Sequence, residues 1–179
     1  INAVIFVIAF FMLSEFQRDD LYNWGASNQF FVLQQGEFHR LLTAMFLHGG
    51  IAHVVFNMLA LYYIGQNVER FFGTLRFALI YFLGGLAGSV LSVLLNDAQT
   101  FSVGASGAVF AIVGAELVFL YQHRKLFGDM AKTQLRNLLF IAVLNLGVGF
   151  ASNATTGGVA IDNWGHIGGL IGGLALAWF

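Results

Sequence analysis

Four polar residues stand out from a largely apolar sequence: Ser106, His166, His53 and Asn57. A serine hydroxyl attacks a carbonyl only when a neighbouring base accepts its proton, and histidine suits that task near neutral pH. Acyl transfer then places negative charge on an oxygen, which needs donors already in position. His53 and Asn57 are spaced i, i+4, so on a helix they share one face and can aim N–H groups at a common point. His48, five residues earlier, either contributes to such a site or supports it. Together these residues describe a candidate hydrolase with Ser106 as nucleophile and His166 as general base.

Composition sets the elements that must hold them. The 179 residues are 58% hydrophobic and 9% charged and include 22 glycines, and the mean hydropathy is +0.77. So few charges do not cover the surface of a soluble domain, and glycine is commoner in membrane helices. A helix needs about 20 mostly apolar residues to cross the hydrocarbon. Six segments come near that length: 1–14, 43–66, 75–95, 103–122, 137–152 and 160–179. The expected fold is all-α, a six-transmembrane-helix bundle in a single domain over 1–179 that reads as the core of a longer chain. The stretch 1–13 lacks the basic flank and cleavage site of a signal peptide and reads as the first span. Residues 15–42 are too apolar for a solvated linker, and Trp24, Phe30, Phe31 and Phe38 suit a loop lying in the interface. The fifth segment is short and carries Asn145, Gly147 and Gly149. Cysteine is absent, which excludes a disulfide framework and a thiolate nucleophile. A net charge of −1 gives no sign of nucleic-acid binding.

Charge orients the bundle. Arg70, Arg76, Arg124, Lys125, Lys132 and Arg136 fall in two connections, and only Arg18 and Arg40 fall on the opposite side. The positive-inside rule then makes both ends of the core cytoplasmic and the connection 15–42 external. On that topology Ser106, His166 and the His48–His53–Asn57 group all enter their segments from outside. They share one layer in the outer leaflet.

Small residues supply the close approach that a serine–histidine pair needs. Gly107, Ala111 and Gly114 form one stripe; Gly169 and Gly173 form another, with Gly165, Gly168 and Gly172 beside it. Such stripes let helix backbones meet in lipid, although taken alone they mean only packing. Phe110, one turn from Ser106, is placed to stack on the His166 ring.

At this point the residues resemble a family. Gly104-Ala105-Ser106-Gly107 is similar to the GxSG motif of rhomboid intramembrane proteases, and His166-Ile167-Gly168-Gly169-Leu170-Ile171-Gly172-Gly173 is similar to their histidine motif. The stretch from His48 through His53 to Asn57 resembles the HxxxxHxxxN arrangement of their second helix. The resemblance implies a rhomboid-type six-helix fold and a serine endopeptidase cutting transmembrane segments of membrane proteins within the lipid bilayer. It implies a catalytic dyad of Ser106 and His166 with no acidic partner, and an oxyanion site from His53, Asn57 and the Ser106 amide. His48, Phe110, Gly104 and Gly107 are then site-supporting, and neither cofactor nor metal is needed. It also implies a bacterial inner-membrane location with the site opening outward. Arg40 matches an arginine found before the second helix, Glu69-Arg70 resembles a polar pair near its inner end, and Phe110 departs from the tyrosine of many bacterial members.

Other readings compete. His48, His53 and His166 are enough for a three-histidine zinc site, but no HExxH accompanies them. A transporter would carry polar groups through both leaflets rather than one. A catalytically inactive rhomboid-like protein that binds membrane clients would typically lack Ser106 or His166. Glu116, ten residues beyond Ser106, lies too deep for the dyad and is expected to be paired near the inner interface. His39 and His123 read as surface groups.

Overall fold

A computed structural model describes residues 1–153 and 161–178. Among these the chain is helical, with one isolated antiparallel bridge between Ser27 and Ser102 and no strand. Helix α1 (Asn2–Val7) continues as a π-helical stretch over Ile8–Met12, and α2 (Glu15–Gly25), α3 (Gln29–Leu33) and α4 (Arg40–Thr43) follow. Then come α5 (Ile51–Phe72), α6 (Thr74–Leu95), α7 (Ser106–Gln122), α8 (Arg124–Asn153) and α9 (Asn163–Trp178).

Local sequence explains the boundaries. Ser14 and Gln17 form a capping box at the start of α2, and the Asn28 side chain accepts from Phe30 and Phe31 N–H at the start of α3. Gly73, at φ 79°, ends α5 and turns directly into α6. Residues 15–42 are therefore three short helices rather than irregular loop. Arg40 stitches them: it is buried, donates to the Asn23 and Ala26 carbonyls at 2.6 and 2.9 Å, and pairs with Glu37 at 2.6 Å. Its guanidinium also lies 4.4 Å from the Phe31 ring centre.

Each expected segment falls on a helix, but lengths differ. By length and apolarity α6 and residues 124–151 of α8 can cross a membrane, and a third crossing is possible if Arg40–Phe46 and α5 count as one bent span. Asn2–Met12 and α7 are shorter apolar helices. Two expectations are corrected. The segment 43–66 is not one helix: it bends by 92° between Phe46 and Ile51, because Gly50 is extended there. His48 therefore sits at the bend and not on the helix of His53. The segment 137–152 is not short either, since α8 continues back through Arg136 and Lys132, which are exposed, to a break at Gly128 with φ 55°.

Helix α7 is the centre, with Ala108–Val118 buried on every face, as expected for a helix apolar all round. Against it α9 packs backbone to backbone. A Cβ on Gly169 would overlap the carbonyl oxygen of Gly107, one on Gly173 that of Ala111, and one on Gly114 would lie 2.6 Å from the Leu170 oxygen. The second stripe of α9 faces α6: a Cβ on Gly168 would lie 2.7 Å from the Ala87 oxygen, and one on Gly172 3.2 Å from the Gly84 Cα. Helix α8 is peripheral. Ala131 and Leu138 pack on Val113, Leu117 and Leu120, while Leu139, Phe140, Ile141, Val143, Leu144, Val148 and Phe150 are exposed.

Candidate active site

Ser106 is the first residue of α7, and the turn before it is tightly held. Gly104 has φ 133°, a conformation that side-chain-bearing residues rarely adopt. Its N–H donates to the Ala44 carbonyl at 2.9 Å, and the Ala105 N–H donates to His48 Nε2 at 3.4 Å. His48 is buried and its carbonyl accepts from the Tyr22 hydroxyl, so it props the turn that presents Ser106.

His53 stands over the same turn. A Cβ on Gly104 would lie 2.7 Å from His53 Nε2 and 3.7 Å from Ser106 Oγ, so both atoms surround one point that only glycine leaves open. The His48 and His53 rings meet edge to face at 5.1 Å. Asn57 is buried, and its Nδ2 donates to the His53 carbonyl at 3.0 Å.

On the other side His166 lies flat on Phe110, ring centres 4.4 Å apart and planes within 9°. Since Phe110 follows Ser106 by one turn, the imidazole lies on the face of α7 that begins with the serine. Gly107 against Gly169 sets the helix separation at this level. His166 Nδ1 is buried without a hydrogen-bond partner, and no hydrogen bond joins Ser106 Oγ to His166. Catalytic hydrogen bonds are often long in unliganded enzymes and tighten around substrate. Beside Ser106 is a cavity of about 20 Å³, lined by Ser89, Ser102, Ser106 and Asp162 among glycines. That is enough for one water molecule.

Asp162 and Ser102 line this cavity and, with Asn96 behind them, form a polar cluster that sequence reasoning missed. The available signal was the Asp-Asn pair opening an apolar helix, a helix-start signature. Glu116 is deeply buried, and its Oε1 accepts from Asn67 and Gln134 amides at 3.1 and 3.3 Å. Its partners are neutral, on α5 and α8. His39 stacks on Trp24 at 4.8 Å and His123 on Phe119 at 4.2 Å. Among the described residues no three His, Asp or Glu are grouped as a metal ion requires.

Residues 35–179 match the Rhomboid domain, and the chain belongs to the rhomboid family. It is an integral membrane protein. It is 46% identical over 146 residues to rhomboid protease GluP of Bacillus subtilis (strain 168), a span covering 82% of this chain and 27% of that protein. It is 38% identical over 154 residues to RHOMBOID-like protein 1 of Arabidopsis thaliana, covering 86% and 37%. RHOMBOID-like protein 6, mitochondrial, of the same plant is 39% identical over 147 residues, covering 82% and 45%. The chain thus spans less than half the length of these relatives.

Proposed function

We propose that this chain is a single rhomboid membrane domain, a six-span serine endopeptidase that hydrolyses transmembrane segments of membrane proteins in the outer leaflet. Ser106 Oγ attacks the scissile carbonyl and His166 takes its proton. His53, Asn57 and the Ser106 N–H hold the oxyanion. His166 then protonates the leaving amine, and water resolves the acyl-enzyme by the reverse route. The observation that carries this reading is the His166–Phe110 stack one turn from Ser106, with Gly104 leaving room between Ser106 and His53. The similarity to the rhomboid protease GluP supports the same activity.

In this reading the membrane is a bacterial inner membrane and the core termini are cytoplasmic, an orientation supported by the basic residues at the α5–α6 and α7–α8 ends. Residues 15–42 lie in the outer interface. Helix α8, peripheral and apolar on its outer face, is the lateral gate. A substrate helix has to unwind at the site, because a regular helix occupies its carbonyls.

A fluorophosphonate probe tests the chemistry. Wild-type protein is labelled at Ser106; Ser106→Ala is not, and His166→Ala loses labelling while retaining its fold. The absent Ser106–His166 hydrogen bond favours a second reading, an inactive rhomboid-like protein that binds membrane clients. A folded wild-type protein that takes no probe decides for that reading. Crosslinking α8 to α5 tests the gate, which fails if cleavage of a membrane substrate continues unchanged.

A further inference from the structure

Asp162 precedes α9, four residues before His166. Its Oδ1 accepts from the Gly165 N–H at 2.8 Å and from Asn96 Nδ2 at 2.9 Å, and its Oδ2 accepts from Ser102 Oγ at 2.5 Å. Its carbonyl accepts from the His166 N–H at 3.1 Å. A bond to Gly165 alone is an ordinary N-cap, local to α9. The other two bonds leave the helix and reach the connection between α6 and α7. Ser102 stands four residues before Ser106 and is itself fixed by paired backbone bonds with Ser27, at 2.8 and 2.9 Å.

The Asp162 carboxylate therefore joins the strand of chain leading into the proposed nucleophile to the turn bearing the proposed base. The imidazole has few other restraints: Phe110 lies against its face, and Nδ1 has no hydrogen bond. A flat stack restrains the tilt of the ring better than its sliding. We propose that Asp162 is a positioning residue for the reaction, setting the depth and rotation of His166 relative to Ser106 through Ser102 and Asn96. The inference rests on the reading of Ser106 and His166 as the dyad.

The test is the rate and final extent of fluorophosphonate labelling at Ser106 in the whole protein in micelles. Lost fold lowers the extent, whereas a displaced base lowers the rate. Asp162→Ala is expected to slow labelling about tenfold to a hundredfold, the scale of a misplacement near 1 Å, at unchanged extent. Asp162→Asn, which caps equally well and can still bond Ser102, is expected to recover to within about threefold of wild type. Ser102→Ala leaves the α9 cap intact and is expected to fall between them, so it carries the test if Asp162→Ala does not fold. Wild-type rates in Ser102→Ala, a loss of extent without loss of rate, or Asp162→Asn as slow as Asp162→Ala each overturn the inference and leave the dyad standing. Absence of labelling in wild type removes the dyad and this inference together.

Discussion

Gly114→Ala isolates the contact between α7 and α9 with one methyl group. Its Cβ would lie 2.6 Å from the Leu170 oxygen and 2.9 Å from the Leu174 nitrogen, whereas ordinary contact begins at 3.4 Å. Both obstacles are backbone, so no rotamer change relieves them and the helices separate by about 0.8 Å. Overpacking of this kind costs roughly 1–3 kcal/mol. The separation also carries His166 away from Ser106, and a shift near 1 Å costs on the order of a hundredfold in rate. Labelling at Ser106 should slow by tens of fold while thermal unfolding in detergent moves down by several degrees. Gly147→Ala is the control, because nothing lies within 4 Å of its Cβ. There the same change should be neutral or stabilise by up to about 1 kcal/mol through helix propensity. If Gly114→Ala matches wild type in both assays, backbone contact does not hold the proposed dyad together and the packing argument fails.

Three further perturbations separate site from scaffold. Phe110→Ala removes the face against His166; an aromatic pair is worth about 0.5–1.5 kcal/mol, so labelling should slow about three- to tenfold, whereas Phe110→Tyr should label near the wild-type rate. Glu116→Gln keeps an oxygen for Asn67 and should leave the unfolding temperature level or raised. Glu116→Ala strands the Asn67 and Gln134 amides at a cost of roughly 1–3 kcal/mol, read as a lower unfolding temperature. Arg40→Lys cannot reproduce the fork onto two carbonyls and Glu37, so limited proteolysis within 15–42 should accelerate while labelling of intact protein persists.

What was legible in the sequence was what helical periodicity carries. Phe110, Gly107, Ala111 and Gly114 recur at helix spacing, and they do lie against α9. The bend at His48 was hidden because hydropathy sums apolar length across Gly49 and Gly50 without registering direction. The true extent of α8 was hidden because charge ends an apolar segment but not a helix: Lys132 and Arg136 continue it toward solvent. The Asp162 cluster left no periodic trace, since its partners Ser102 and Asn96 are 60 and 66 residues away.

The two glycine stripes of α9 were legible as packing surfaces, yet their consequence appears only once their partners are known. One stripe faces α7 at Gly107 and Ala111, and the other faces α6 at Gly84 and Ala87. Helix α9 is thus wedged between two backbones, and side-chain rearrangement can shift it little. The residue proposed as base rides on a helix held by backbone contact on two sides, while α8 packs on α7 along one face and leaves its apolar outer face exposed. An enzyme that admits a substrate from the bilayer needs that division, because a preorganised site must stay still while its entrance opens. Labelling by a small soluble fluorophosphonate should therefore survive an α8–α5 crosslink that stops cleavage of a membrane-spanning substrate. Equal loss of both would mean that α8 shapes the site itself rather than the path to it.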